Sequence, residues 1–162
     1  MPQVILPRLG ILTFMDDDYR EHLASYGSVI ATQEDQVILR EGESSRKLLV
    51  VLAGAFVITV GAPGQEVTLD SVGEGDCLGE ISVFEPGVAS ATVTSAGDGK
   101  LWCIESGPLQ QFLVDSPYGG CALVLGINTL LSRRLRKATS VIKVSEIVPS
   151  FLSVRSNKRA RV

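Results

Sequence analysis

The chain has few of the residues that metal centres and disulfide frameworks require. It contains one histidine, His22, and three cysteines in 162 residues. A metal site built on several histidines is therefore excluded by count. Cys77, Cys103 and Cys121 are an odd number at wide spacing, which fits neither a disulfide framework nor a zinc ribbon. This use of cysteine is typical of the reducing cytoplasm, where we expect the protein to act.

Long hydrophobic runs and known catalytic motifs are also missing. No segment approaches about 18 consecutive apolar residues, and Met1 to Met15 lacks a basic stretch followed by a long apolar one. We therefore expect no membrane span. The sequence has no Gly-x-Ser-x-Gly elbow, Walker loop or Cys–His pairing, which predicts a protein that is not an enzyme. The net charge of −3 gives no general reason to expect nucleic acid.

The centre of the chain is predicted to form short β-strands. From Val29 to Cys103, runs rich in Val, Ile, Leu and Thr are separated by glycine-bearing turns. Their spacing of about eight to twelve residues is typical of an antiparallel sandwich or barrel. We expect strands over residues 36–40, 47–52, 55–60, 65–72, 90–95 and 101–104.

Helical patterns flank this region. A short amphipathic helix is predicted from Asp16 to Tyr26, where acidic residues suit the helix N-terminus. A second is expected over 108–114, with a break at 116–120 and a long helix over 121–144. The long helix carries apolar residues at steps of three and four: Val124, Ile127, Leu131, Leu135, Ala138 and Ile142. This seam fits packing on its own chain or pairing with a second copy, and its basic flanks favour a homodimer.

The segment from Gly79 to Val93 is the most specific motif. It reads Gly-Glu-Ile-Ser-Val-Phe-Glu-Pro-Gly-Val-Ala-Ser-Ala-Thr-Val. This resembles the phosphate-binding cassette of the cyclic nucleotide-binding domain family, Gly-Glu-Ile/Leu-Ala/Gly-Leu, a spacer and Pro-Arg-Ser/Ala-Ala-Thr-Val. The order of helices and strands from about residue 10 to residue 145 resembles the same family, in the form of a catabolite activator protein-like effector domain.

The resemblance implies an α+β, mainly β, fold. Its expected form is a double-stranded β-helix, or jelly roll, with a short N-terminal helix and a long C-terminal dimerisation helix. It implies an N-terminal arm over 1–15, the domain over 16–145 and a tail over 146–162. Family members that act as transcription factors carry a helix-turn-helix domain after the long helix, and the tail is too short for one. We therefore expect a stand-alone sensor or adaptor that acts through a protein partner and recognises no DNA sequence.

The resemblance also implies a site for a cyclic nucleotide such as cAMP or cGMP, without a metal or other cofactor. It assigns Glu80 to the ribose 2′-hydroxyl, the N–H groups after Gly79 to the phosphate oxygens, and the Ser90 hydroxyl to the phosphate. The complete expected ligand set is Gly79, Glu80, Ile81, Ser82, Ala89, Ser90, Ala91 and Thr92, with Thr139 and Ser140 of the long helix near the base.

One position departs from the family pattern. Ala89 stands where the family has the arginine that pairs with the cyclic phosphate. Loss of one partner of a buried charge pair typically costs about 2–5 kcal/mol. Three interpretations remain open: weak cyclic-nucleotide binding, with Ser90 and Thr92 as substitute donors; binding of another ligand; or a degenerate, ligand-free dimeric scaffold for protein interactions.

Overall fold

The computed structural model describes residues 4–85 and 87–156, with side-chain surroundings described up to residue 140. The chain divides into two compact units, Met1–Ile127 and Asn128–Val162. The first unit contains the sheets and three of the helices. The second unit is the remainder of the last helix with the residues that follow it.

Two four-stranded antiparallel sheets form the centre of the first unit. The first has the order β1 Ser28–Thr32, β8 Gly99–Glu105, β3 Lys47–Ala53 and β6 Cys77–Leu78. The second has the order β2 Val37–Leu39, β7 Thr92–Ser95, β4 Phe56–Val60 and β5 Val67–Val72. This arrangement confirms the expected mainly β jelly roll. β1 and the two-residue β6 were not among the predicted strands.

The main core lies between the facing sides of the two sheets. It contains Leu49, Val51, Phe56, Val72, Leu78, Val93 and Leu101. The alternate residues of β3 and β8, including Val50 and Trp102, are buried as well, on the other face of the first sheet. There the Trp102 indole donates a hydrogen bond to the Ala24 carbonyl at 3.3 Å. Because β3 is buried on both faces, its sequence is an unbroken apolar run and not an alternating one.

Four helices complete the described fold. They are α1 Asp17–Ala24, α2 Glu80–Phe84, α3 Ser106–Asp115 and α4 Pro117–Ser156, and a 3-10 turn, Gly10–Leu12, precedes them. The expected break over 116–120 is wrong: only Ser116 is non-helical, and Pro117 begins α4, where its missing N–H has no cost. The long helix also does not end near residue 144 but continues to Ser156.

The N-terminal arm packs into the core through its apolar residues, Leu6, Ile11, Leu12 and Met15. A buried arginine, Arg20 of α1, donates hydrogen bonds to the carbonyls of Leu6 and Met15 at 3.0 and 2.7 Å. Where α4 passes the 3-10 turn, a Cβ at Gly126 would overlap the Ile11 carbonyl. The missing side chain at Gly126 therefore allows α4 to approach the 3-10 turn closely.

A polar cluster joins α1 to the end of α3. His22 Nδ1 lies 2.7 Å from Ser116 Oγ, and the Tyr26 hydroxyl donates to an Asp115 carboxylate oxygen. The rings of His22 and Tyr26 both meet Phe112 edge to face. His22, the single histidine of the chain, thus takes part in the contacts between α1 and the end of α3.

Candidate functional site

The cassette begins at a turn that only glycine can form. Gly79 has φ 75° and ψ 11°, the left-handed region, and immediately precedes α2. A Cβ atom at this position would overlap the Lys47 carbonyl oxygen of the neighbouring strand β3. Because both the conformation and the space exclude a side chain, β3 fixes the point at which α2 starts.

The short helix α2 buries its two polar residues and exposes two of its three apolar ones. Glu80 and Ser82 are 7% and 5% exposed, whereas Ile81 is 50% exposed. The N–H of Val83 donates to the Gly79 carbonyl at 3.1 Å, which closes the first turn. The N–H groups that precede Val83 have no acceptor within α2, as at the N-terminus of any helix.

The position of the missing arginine is held rigidly. Ala89 is 6% exposed. Its N–H donates to the Glu43 carbonyl at 2.8 Å, and its carbonyl accepts the N–H of Gly42 at 2.9 Å. A β-bridge between Ser44 and Val88 extends this pairing. The segment 42–44 therefore supports the second half of the cassette.

Thr92 is already hydrogen-bonded to the backbone, and its role as a substitute donor stays a prediction. Its hydroxyl accepts the N–H of Glu41 at 3.0 Å. With Thr59 and Thr94 it lines a groove of about 700 Å³, while its neighbour Val93 is in the core. The alternation of apolar and polar residues along β7 was a signal for this, since successive side chains point to opposite faces of a sheet. Ser90 is exposed and Ala91 half-buried.

The paired segment contains an ion pair between Arg40 and Glu43. Arg40 directly follows β2, and its Nε lies 3.4 Å from Glu43 Oε1. Arg40 also lines the groove that contains Thr92. Its charge is thus balanced by Glu43 on the face of the sheet away from the core.

Thr139 and Ser140 belong to the second unit. Their hydroxyls donate to the carbonyls of Leu135 and Arg136, each at 2.9 Å, as helical threonines and serines often do. Contact of these two residues with a nucleotide base stays a prediction.

The residues of the expected dimer seam differ in exposure. Val124 and Leu135 are 45% and 70% exposed. Leu131 is half-buried and Ala138 exposed, while the side chain of Ile142 lies outside the described residues. Ile127 is 4% exposed and belongs to the core of its own chain. The expected seam is corrected at this position, because a buried side chain has no surface to offer to a second copy.

Two features that would point to other functions are absent from the described part of the chain. No helix there is long and apolar enough to cross a membrane. Among the same residues, no group of three or more His, Cys, Asp or Glu side chains is placed to hold a metal ion.

Comparison with known proteins gives consistent matches. Residues 30–116 match the family model described as Cyclic nucleotide-binding domain. The chain is 26% identical over 137 residues to the CRP-like cAMP-activated global transcriptional regulator of Mycobacterium tuberculosis, covering 84% of this chain and 59% of that protein. It is 31% identical over 121 residues to the cAMP-dependent protein kinase regulatory subunit of Dictyostelium discoideum, covering 67% of this chain and 36% of that protein.

A solved structure agrees with these matches. A cyclic nucleotide-binding domain from Methylobacillus flagellatus superposes with a TM-score of 0.75 and 24% identity, covering 81% of this chain and 74% of that one. The chain spans less than two thirds of the length of the curated relatives it matches. The family match covers more than half of the 162 residues and includes the whole cassette. The chain therefore belongs to the cyclic nucleotide-binding domain family.

Proposed function

We propose that this domain is a non-enzymatic regulatory sensor that binds a cyclic nucleotide such as cAMP or cGMP with weakened affinity. The observation that carries the proposal is the combination of a glycine-only turn, a buried Glu80 and a rigid but uncharged position at Ala89. The first two features supply a cradle for a sugar phosphate. The third removes the charge that would hold the phosphate tightly.

Glu80 is suited to the sugar. A carboxylate accepts hydrogen bonds strongly, and burial of this one beside the start of α2 leaves it shielded from competing water. In the proposed complex it accepts the 2′-hydroxyl of the ribose. The N–H groups at the start of α2 then face the cyclic phosphate, whose single negative charge suits a helix N-terminus.

Ala89 sets the expected affinity. Removal of one partner of a buried charge pair costs about 2–5 kcal/mol. The dissociation constant changes tenfold for each 1.4 kcal/mol of binding free energy. The affinity should therefore be about 30-fold to about 4,000-fold lower than that of a cassette with arginine. The proposed site is consequently one that responds to high ligand concentration.

The relatives support a regulatory role. One is named as a cAMP-activated transcriptional regulator and the other as a regulatory subunit of a cAMP-dependent kinase. For this chain we propose that the output passes to a protein partner, and that two copies pair through the exposed apolar residues of α4. Ile81, Phe84 and Val88 leave further apolar surface exposed around the cassette.

Calorimetry and thermal unfolding test whether the domain binds a cyclic nucleotide. We expect cAMP or cGMP at millimolar concentration to raise the melting temperature, because a ligand that binds only the folded state stabilises it. Linear 5′-AMP is the comparison ligand. Glu80→Gln should reduce the shift, whereas Glu85→Gln, an exposed change at the end of the same helix, should not.

The second candidate function is a ligand-free dimeric scaffold. The uncharged Ala89 favours it, since a site without selection for phosphate binding has no need of arginine. An absent thermal shift with every cyclic nucleotide, in a protein that light scattering shows to be dimeric, would support the scaffold and contradict the sensor.

A further inference from the structure

A second cavity, with none of the cassette residues 79–92 in its lining, opens at the edge of the roll. Its volume is about 470 Å³, within the range of small-molecule sites. It lies where the edge strand of one sheet, β1, meets the edge strand of the other, β2. Its lining comes from β1, β2, β3 and β8, with residues of α3 and of the segment after α1.

The body of the cavity is apolar. Leu49 belongs to the core between the sheets, and Ile38 and Leu39 pack against that core. Ile30 remains 38% exposed at the edge of β1. These side chains offer one apolar wall from each sheet, which suits a branched aliphatic or aromatic group of a ligand.

One end of the cavity carries a positive and a negative charge side by side. Lys47 of β3 and Glu105 of β8 face each other directly in register. Residues opposed in this way project from the same face of the sheet. Both are exposed, and their side chains form no ion pair with each other within 4.0 Å. Each charge is thus able to meet an opposite charge on a ligand.

Cys103 forms part of the floor, between Ser28 and Leu49 in the register of the sheet. Burial raises the pKa of its thiol, Lys47 lowers it and Glu105 raises it further. In the register of the sheet, Cys103 lies two residues from Glu105 and on the same face as Glu105 and Lys47. It remains half-exposed, so a reagent that enters the cavity can reach it.

We propose that this cavity binds a small zwitterion with an apolar body, of the chemical class of the apolar α-amino acids. The ammonium group would meet Glu105, the carboxylate would meet Lys47, and the side chain would fill the space between Ile38 and Leu49. A ligand with a single charge would be attracted by one of the two residues and repelled by the other. The lining also includes Tyr26, two residues after α1, and Pro108, in the first turn of α3.

Binding is tested with ligands that differ in charge. L-leucine, L-isoleucine and L-phenylalanine should raise the melting temperature and give heats of binding, whereas hexanoate and hexylamine should do neither. Lys47→Met and Glu105→Gln should each weaken binding by about tenfold. Lys100→Met, a matched change on β8 outside the cavity, should leave it unchanged. Equal binding of the singly charged compounds would overturn the proposal.

Alkylation of the cysteines shows where the amino acid binds in the unmodified protein. Maleimide modification should be followed by mass spectrometry with and without the amino acid. Cys103 should be protected several-fold, while the exposed Cys121 serves as an internal reference. Absence of protection at saturating ligand would overturn the proposal even if a thermal shift occurs. Because Cys103 is not in the cassette, this readout is independent of cyclic-nucleotide binding.

Discussion

The Lys47 carbonyl oxygen occupies the space that a Cβ atom would need at Gly79. Gly79 also has a positive φ, so two independent constraints exclude other residues at the start of the cassette. Strand β3 thereby determines where the donor groups of α2 lie. The same residue, Lys47, also lines the second cavity.

Gly79→Ala should destabilise the fold more than an alanine at an unconstrained glycine. Gly64 is the matched control, since its φ is +83° and no atom lies within 4 Å of its Cβ position. The left-handed conformation costs about 1–2 kcal/mol in both variants. Only Gly79→Ala adds overlap with backbone, so its loss of unfolding free energy in urea should exceed that of Gly64→Ala by at least about 1 kcal/mol. Equal losses would show that β3 does not constrain the turn.

The pKa of Asp115 should depend on Tyr26. The hydrogen bond from Tyr26 is the main cause that lowers the pKa of this carboxyl, and Gln111 donates a second bond at 2.8 Å. The same bond to Asp115 is the main cause that raises the pKa of Tyr26. Tyr26→Phe should therefore raise the pKa of Asp115 towards its ordinary value in an NMR titration. Tyr118→Phe, at an exposed tyrosine, should not change it.

The sign of the resulting pH dependence follows from linkage. A carboxyl whose pKa is lower in the folded state stabilises the fold above its unfolded pKa, about 3.9 for aspartate. This contribution disappears as the pH falls through the folded-state pKa. Acid unfolding of Tyr26→Phe should consequently begin at higher pH than that of the unmodified protein. An unchanged acid transition would contradict a contribution of this bond to stability.

The long helix should mediate self-association. Leu131→Asp together with Leu135→Asp would bury charge in the proposed interface and should convert a dimer to a monomer. Asn128→Asp, at an exposed position outside the seam, is the control. Light scattering at tens of micromolar measures the mass, and a monomeric unmodified protein would contradict the proposed dimer.

The fold and the start of the cassette could be predicted because both depend on short-range sequence patterns. Glycine at residue 79 followed by an acid is typical of a strand-to-helix turn, and the apolar runs predicted most strands within a few residues. The end of the long helix was not predictable in this way. Pro149 is a helix-breaking signal, yet α4 continues through it to Ser156.

Features that depend on distant contacts could not be read from the sequence. Arg20 is an ordinary charged residue of an amphipathic helix until the arm brings the carbonyls of Leu6 and Met15 to it. Ile127 fits the heptad-like seam, but the fold of its own chain buries it. The pairing of Ala89 with Glu43 joins segments 46 residues apart in numbering, so only the folded chain shows that the arginine position is preserved without its arginine.

Calorimetry on the unmodified protein and on Ala89→Arg tests the central claim most directly. If the cradle of Gly79, Glu80 and the N–H groups of α2 is intact, an arginine at residue 89 supplies the missing charge, and cyclic-nucleotide affinity should rise by about tenfold or more. Glu80→Ala in that background should reverse much of the gain, while Ala96→Arg, at an exposed position, should produce none. Absence of binding heat from both the unmodified protein and a folded Ala89→Arg would contradict a cyclic-nucleotide site.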